Sequence, residues 1–279
     1  MQNIDPLYLL TPVVVLGFSF GLVLYWRLRR RFTGIVLLYS LGAYAGAIGA
    51  KVFVQALTLG PLSSASGSNP AILGAYYGAQ TAAFEVGGAF LVAAVAIALA
   101  RLGAPDAEGF GLGLALWENG VLIALPLLLD YVTYYLVLSH PGSSAAQTLY
   151  PALMSNSPAL FYGPAAALPL IGWSILERVS SLFAHFAWGY LAVLGAVYRK
   201  RVYLAIALPL GFLPDFLVPF AGSLGLPAFE LIVFAIAATG LAVTLGVTRS
   251  VRPQYLRQTR TPPAGAGAPG GAPDRPGPP

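Results

Sequence analysis

Long apolar runs are the feature that most constrains what this chain can fold into. Runs of about 20 apolar residues, long enough to cross a bilayer as a helix, recur along the sequence. Only 9% of the residues are charged, whereas a soluble domain has about 25%. A membrane β-barrel would need segments of alternating polarity, and these runs do not alternate. The sequence therefore predicts an all-α, polytopic transmembrane bundle of about seven spans.

Prolines, glycines and basic clusters divide the apolar sequence into segments. The predicted spans run over about 7–26, 33–59, 71–101, 109–138, 170–198, 202–220 and 227–247. The segment 60–70 is expected to be a polar, uncharged loop. The segment 139–169 contains prolines throughout, so a continuous helix is not expected there. Its apolar second half also fits a re-entrant or interfacial segment, and its nature stays open.

The basic residues give an orientation. All 15 lysines and arginines except Lys51 and Arg178 fall in alternate loops or in the C-terminal tail. This distribution predicts a multi-pass protein of the cell membrane with its N-terminus outside and its C-terminus in the cytoplasm. The net charge of +5 follows this distribution and does not indicate nucleic-acid binding. The start lacks a basic n-region, so it is expected to lead directly into the first span.

Two domains are expected from composition. Residues 1–248 form the transmembrane helical domain, whose first partner is the lipid bilayer. Residues 249–279 form a cytoplasmic tail that is basic and then rich in proline and glycine, and this second part is predicted to be disordered. The chain has no cysteine, which excludes disulfides and thiolate metal ligands.

Four ionisable residues on four predicted spans share one depth. At about 1.5 Å per helical residue, they lie roughly 14–24 Å from the cytoplasmic ends of their spans. They are Glu85, Glu118, His185 and Asp215. Because charged groups facing lipid are costly, we expect all four to point into the bundle together. They are the candidate catalytic residues.

Other polar residues are candidates for supporting roles or for structural ones. Arg178 lies on the same helical face as His185, and Glu177 is offset from it. Asn119 follows Glu118, so this pair also fits a polar contact between helices. Lys51 is expected near the end of its span, where its long side chain reaches the interface.

For several residues a structural interpretation stays open beside the functional one. His185 alone fits a hydrogen-bonded packing residue, and Glu177 with Arg178 fits a structural ion pair. Asp215 follows Pro214 and fits a role in satisfying backbone groups that the proline frees. The remaining acidic residues and the second histidine are expected to be unremarkable groups near the surface. These are Asp5, Asp106, Glu108, Asp130, His140, Glu230 and Asp274.

Residues 25–220 resemble the YhfC-type family of intramembrane metalloproteases, which is grouped with PrsW and the CAAX-processing membrane proteases. The family's first acidic motif falls on FEVGG at 84–88, and its glycine-rich segment ending in glutamate falls on GFGLGLALWEN at 109–119. Its Glu-Arg helix with a following histidine falls on Glu177, Arg178 and His185. Its last motif falls on LPLGFLPDF at 208–216, which contains Asp215.

The sequence departs from the family pattern at three positions that carry polar groups there. Val86 replaces the second glutamate of the first motif, Leu114 stands in the glycine-rich segment, and Gly211 replaces a second histidine. The arginine near the first motif is also absent. The resemblance therefore implies a divergent member, and both an active enzyme and a pseudoenzyme stay open.

The resemblance implies a glutamate-dependent or metal-dependent protease that cleaves a transmembrane peptide. Glu85 or Glu118 would activate water, and His185 with Asp215 would orient it. The cofactor stays open: a zinc ion would take His185 as its metal ligand, with two or three carboxylates completing the site. The alternatives are a non-enzymatic membrane scaffold that binds a partner membrane protein, and a proton- or ion-coupled transporter.

Overall fold

The computed structural model describes residues 2–30 and 32–258, with side chains described for all of these except Arg30 and 252–258. The described chain is helical and contains no strand. Seven helices are long and apolar enough to cross a membrane, as predicted. A further helix, between the fourth and the fifth of these, has only 13 residues. They are α1 (Pro6–Arg29), α2 (Val36–Ser66), α3 (Pro70–Ala98), α4 (Ala104–Leu138), α5 (Ser144–Asn156), α6 (Pro164–Tyr198), α7 (Arg201–Leu224) and α8 (Leu226–Gln258). The protein is therefore an integral membrane protein with an all-α bundle.

Helix α6 is the centre of the bundle. Within its most apolar window 78% of the residues are buried, against 11–33% in the other six spanning helices. It packs against α1, α3, α4, α7 and α8. A helix that is apolar on all sides is suited to a buried position, and from Ser180 to Gly195 nearly every residue of α6 is buried. Polar groups on this stretch therefore find their partners on neighbouring helices or on the backbone of α6 itself.

Helix α2 is longer than the sequence predicts. It continues through Pro61 to Ser66, so the predicted loop at 60–70 shrinks to a short turn at 67–69. Lys51 consequently lies at the midpoint of α2 and not near its end. The expectation that Lys51 reaches the membrane interface is wrong, because its side chain is only 13% exposed and its Nζ atom lies 2.6 Å from Glu85 Oε1 inside the bundle.

The proline-rich segment 139–169 is broken, as predicted, but much of it is helical. It contains α5 and a 3₁₀ turn, Pro158–Phe161, and α6 already begins at Pro164. With 13 residues, α5 is too short to span a bilayer. A second hydrophobic cluster joins these elements to the N-terminal turn through Tyr8, Leu138, Leu153 and Ile171.

The final helix extends beyond its predicted end near 247. It continues to Gln258, so the first part of the predicted cytoplasmic tail is helical. The predicted disordered segment from 259 onwards lies outside the described residues.

Two close helix crossings position the middle of the bundle. A Cβ atom on Gly78 of α3 would lie 2.7 Å from the carbonyl oxygen of Phe212 on α7. Likewise, a Cβ atom on Gly111 of α4 would lie 2.5 Å from the carbonyl oxygen of Phe186 on α6. Glycine lets these backbones touch, which is how small residues act in membrane helix packing. The two crossings bring α3 to α7, and α4 to α6, beside the predicted polar layer.

A buried acidic residue links the loops at the basic end of the bundle. Asp106 accepts hydrogen bonds from the backbone N–H of Thr33 at 3.0 Å and from its hydroxyl at 2.8 Å. It also accepts one from the backbone of Gly103. Asp106 and Glu108 are both buried, so the expectation of solvated loop acids is wrong for these two. Asp106 instead fixes the α1–α2 linker against the start of α4.

Candidate functional site

The structure brings Glu85, Glu118 and His185 together from three helices. The Nε2 atom of His185 lies 3.2 Å from Glu85 Oε2 and also contacts Glu118 Oε2. Glu85 belongs to α3, Glu118 to α4 and His185 to the central helix α6. His185 is only 5% exposed and Glu85 only 8%. The two predicted glutamates therefore share one imidazole nitrogen inside the bundle.

Asp215 joins this group through Lys51, which the sequence analysis had placed elsewhere. Lys51 Nζ lies 2.6 Å from Glu85 Oε1 and 3.1 Å from Asp215 Oδ2. It also donates to the hydroxyl of Thr81 at 2.8 Å, and that hydroxyl donates to Asp215. We call Lys51, Thr81, Glu85, Glu118, Ser181, His185 and Asp215 the polar cluster. The sequence signal for this residue is a lysine within a run of glycine and alanine. Its depth within the bundle follows only from the observed length of α2.

Both glutamates lie in wide helical turns. Residues Thr81–Val86 of α3 and Leu116–Ala124 of α4 are π-helical, and they contain Glu85 and Glu118 respectively. A π-turn inserts one residue into a helix, shifts the face of the following side chains, and is frequent at functional sites. These turns aim both carboxylates at α6, which a regular 3.6-residue period does not predict.

The hydrogen bonds of His185 fix the form of its ring. Its Nδ1 lies 2.8 Å from the carbonyl oxygen of Ser181, one turn earlier on α6. A carbonyl only accepts, so Nδ1 carries a hydrogen and donates it. In the neutral ring, Nε2 then presents a lone pair to two glutamate oxygens. Acceptors facing acceptors repel, so a proton or a metal cation belongs between them.

The charges in the polar cluster do not balance without such a cation. Glu85, Glu118 and Asp215 contribute three carboxylates, and Lys51 contributes one ammonium group. Ser181 donates to Glu118 Oε1 at 3.0 Å but adds no charge. With neutral His185 and ionised acids, two negative charges remain. Buried charge is costly unless it is paired, and one divalent cation would balance it.

The donor atoms fit a metal ion. One ligand atom each from Glu85, Glu118 and His185 lies within 4.8 Å of the others. Two ligands of a tetrahedral zinc ion lie roughly 3.4 Å apart, so small side-chain shifts suffice. One imidazole and two carboxylates suit Zn²⁺, Mn²⁺ or Fe²⁺. The donation from Nδ1 to a backbone carbonyl is also the usual outer contact of a metal-binding histidine.

The other three predicted site residues do not join the polar cluster. Asn119 is fully buried, and its amide donates to the carbonyl of Ala115 on its own helix at 3.3 Å. Glu177 and Arg178 pair with each other, and the Glu177 side chain is 43% exposed. These two residues instead line a cavity that leads to the cluster.

This cavity has a volume of about 170 Å³ and lies between α4, α6, α7 and α8. Glu118, His185 and Asp215 line one part of it, and Glu177 and Arg178 line another. It therefore joins the polar cluster to the ion pair on the N-terminal half of α6. We call it the site cavity.

Two buried polar atoms of residues that line the site cavity have no hydrogen-bond partner among the described residues. They are Nε1 of Trp188 and Oε2 of Glu230. The ring of Trp188 lies 4.2 Å from that of His185. Glu230 is only 2% exposed, so its predicted unremarkable surface position is wrong. An unsatisfied buried donor or acceptor costs about 1–3 kcal/mol, and a molecule in the cavity would satisfy both atoms.

Two positions at which the sequence departs from the resembled family face each other. A Cβ atom on Gly211 would lie 2.6 Å from Cγ2 of Val86, beside Thr81 and Trp188. Any side chain larger than glycine at position 211 would therefore collide with Val86. Glu85, the neighbour of Val86 in sequence, has Lys51 as a charged partner.

No protein-family model, curated protein or solved structure matches this chain.

Proposed function

We propose that this integral membrane protein is a metal-dependent intramembrane hydrolase that cleaves a peptide bond of a membrane-embedded substrate. The observation that carries the proposal is the position of His185 Nε2. Its lone pair faces oxygens of Glu85 and Glu118, while Nδ1 is committed to the Ser181 carbonyl. This three-helix donor set, with an excess of negative charge around it, favours a bound divalent metal.

Glu85, Glu118 and His185 would hold the metal. Zinc in a site with three protein ligands acts as a Lewis acid that activates water and polarises a carbonyl group. Ser181 orients Glu118 through its hydroxyl, and orients His185 through its backbone carbonyl. Lys51 fixes Glu85 by binding its second oxygen. The ligands are thus held by outer contacts, which metal sites need for correct geometry.

Asp215 is the carboxylate left to accept a proton from water. It lines the site cavity, and its side chain is more exposed than that of Glu85. Lys51 and Thr81 hold one of its oxygens in place. The indole N–H of Trp188 has no partner among the residues that the structure describes, and the indole ring lies beside that of His185, so this N–H group would donate to a substrate carbonyl oxygen.

Metal content and peptide cleavage together test this function. The purified protein is stripped with a chelator, offered one equivalent of Zn²⁺, Mn²⁺ or Fe²⁺, and assayed by mass spectrometry of the metal. We expect about one ion per chain, and Glu85→Gln, Glu118→Gln and His185→Ala to lower affinity by at least 10–100-fold. Glu177→Gln, on the same helix as His185, is the control and retains the metal.

Cleavage is then measured on transmembrane peptides in proteoliposomes, with and without chelator. Chelation, Asp215→Asn and His185→Ala are each expected to abolish cleavage. Full cleavage by His185→Ala, or a wild-type protein that binds none of the three metals, would overturn the proposal.

A second candidate function is that of a partner-binding membrane subunit, and the glycine face of α2 favours it. Gly42, Gly46 and Gly49 are exposed, and a Cβ atom added at any of them would meet nothing within 4 Å. Small residues at this spacing let a second helix approach closely. Because the chain has no cysteine, Gly46→Cys tests the face by disulfide cross-linking in native membranes. Leu91→Cys, on the exposed face of α3, is the control, and equal cross-linking of both would contradict this function.

A further inference from the structure

A second cavity lies at the opposite, basic end of the bundle from the site cavity. It has a volume of about 390 Å³ and lies between α3, α6 and α7. It is lined by Phe90, Ala94, Ile97, Ala98, Gly195, Ala196, Arg199, Lys200, Arg201 and Leu204. No residue of the polar cluster belongs to it. We call it the basic cavity.

The walls of the basic cavity are apolar and extend along the helices away from the basic residues. On α3 they run from Phe90 to Ala98, which is about 12 Å along the helix axis. Leu204 of α7 lines it as well. The positive residues lie only at the end of the helices, in the α6–α7 linker. A ligand that fits this shape is negatively charged at one end and apolar along its length.

The three basic side chains of the linker have no acidic partner among the described residues. Arg199, Lys200 and Arg201 form none of the ion pairs seen there, and no side-chain hydrogen bond is seen for them. Arg27 and Arg29, in the first basic segment, instead lie over the rings of Phe32 and Tyr25. The linker therefore has three positively charged side chains, without acidic partners among the described residues, beside an apolar cavity.

The backbone of the linker adds further features suited to an anion. Helix α7 begins at Arg201, no side chain caps its N-terminus, and no acidic residue lies in its first turn. Its first N–H groups are thus available, and they favour an anion such as a phosphate. Arg199 also has a φ angle of 53°, at the position where helices usually end with glycine. The chain keeps an arginine there despite a conformation that costs about 1 kcal/mol.

We propose that the basic cavity binds an anionic glycerophospholipid of the adjacent leaflet. The phosphate contacts the Arg199–Arg201 side chains and the N-terminus of α7, and an acyl chain lies along the wall from Phe90 to Ala98. Basic pockets between membrane helices are known to bind such headgroups. Orientation alone requires basic loops but requires no cavity beneath them, so the apolar walls distinguish a lipid site from a topology signal.

The test uses the full chain, delipidated in a neutral detergent, and measures its thermal unfolding and native mass spectrum. Phosphatidylglycerol, phosphatidylcholine and inorganic phosphate are added separately. We expect phosphatidylglycerol alone to raise the Tm and to remain bound as one retained molecule. The combined change Arg199→Gln, Lys200→Gln and Arg201→Gln should lower its affinity about 100-fold, since each basic residue near an anionic surface contributes roughly fivefold.

Two further variants keep this proposal falsifiable. Arg27→Gln, Arg29→Gln and Arg249→Gln together remove the same charge elsewhere at the basic end and should leave lipid binding unchanged. Ala94→Phe fills the apolar wall without altering any charge and should weaken binding about tenfold. Equal stabilisation by phosphatidylcholine or by inorganic phosphate would overturn the proposal, and so would undiminished binding of phosphatidylglycerol in both Ala94→Phe and the 199–201 variant.

Discussion

Helix α6 carries ionisable side chains at two places about two turns apart, and the surroundings of these two places differ. His185 lies in the buried half of the helix, where its ring contacts carboxylates from α3 and α4. Glu177 and Arg178 lie in the half before it and form an ion pair with each other. The Glu177 side chain is 43% exposed, whereas that of His185 is 6% exposed.

The difference shows what depth does to a polar group in this protein. At His185 the carboxylate partners of Nε2 come from two other helices, so these contacts tie the bundle together. Glu177 and Arg178 border the site cavity and the surface, so each needs only its neighbour in sequence as a charged partner. Substitutions in the polar cluster should therefore affect both fold and site, while those at the ion pair should affect neither strongly.

The largest effect is expected from Lys51→Met. This change leaves Glu85 and Asp215 buried without their shared cation, and breaking a buried pair typically costs about 3–5 kcal/mol. We expect the free energy of unfolding in detergent to fall by that amount. The double variant Lys51→Met, Glu85→Gln should recover part of it, because one charge is then removed. A loss below about 1 kcal/mol would place Lys51 among surface ion pairs instead.

The next largest effect is expected from Gly78→Leu. Its new Cβ atom would lie 2.7 Å from the carbonyl oxygen of Phe212, so α3 and α7 must separate. Overpacking of this kind costs about 1–3 kcal/mol, and separation should also pull Asp215 away from Lys51. Gly46→Leu is the matched control, since nothing lies within 4 Å of its Cβ position. Equal losses of stability in the two variants would contradict the role of the crossing.

An effect of opposite sign is expected from Glu230→Leu. Removing a buried oxygen that has no partner should raise the free energy of unfolding by about 1 kcal/mol. Peptide cleavage should fall in the same variant, because the site cavity loses a carboxylate whose Oε2 has no hydrogen-bond partner among the described residues. Thermal unfolding and the proteoliposome assay are compared on one preparation. Lower stability would show that Glu230 already has a partner.

The smallest effect is expected from Glu177→Gln. An exposed ion pair contributes about 0–1 kcal/mol, so stability and metal affinity should both stay close to wild type. Denaturation and metal titration measure this. A loss of stability as large as that of Lys51→Met would show that the Glu177–Arg178 ion pair does not differ from the buried contacts of His185.

The site could be predicted in part for two reasons. Charged side chains that face lipid are energetically costly, and the depth of a residue within its span can be estimated from the sequence. Glu85, Glu118, His185 and Asp215 were predicted to share a layer, and contacts through His185 and Lys51 join them. Lys51 and Glu230 were misplaced, because their depth depends on where α2 ends and on how α8 packs. The direct contacts of Lys51 with Glu85 and Asp215 could not be predicted either, since contacts between helices depend on how the helices are rotated about their axes.

The sequence by itself determined the class of this protein. Apolar runs long enough to span a bilayer admit only helices there, because each backbone group must be satisfied within its own segment. Which charges meet was decided by the tertiary structure alone. Gly78 and Gly111 set the helix spacings, and two π-turns rotate Glu85 and Glu118 towards α6. Such shifts arise from packing between distant segments, which a local sequence pattern does not record.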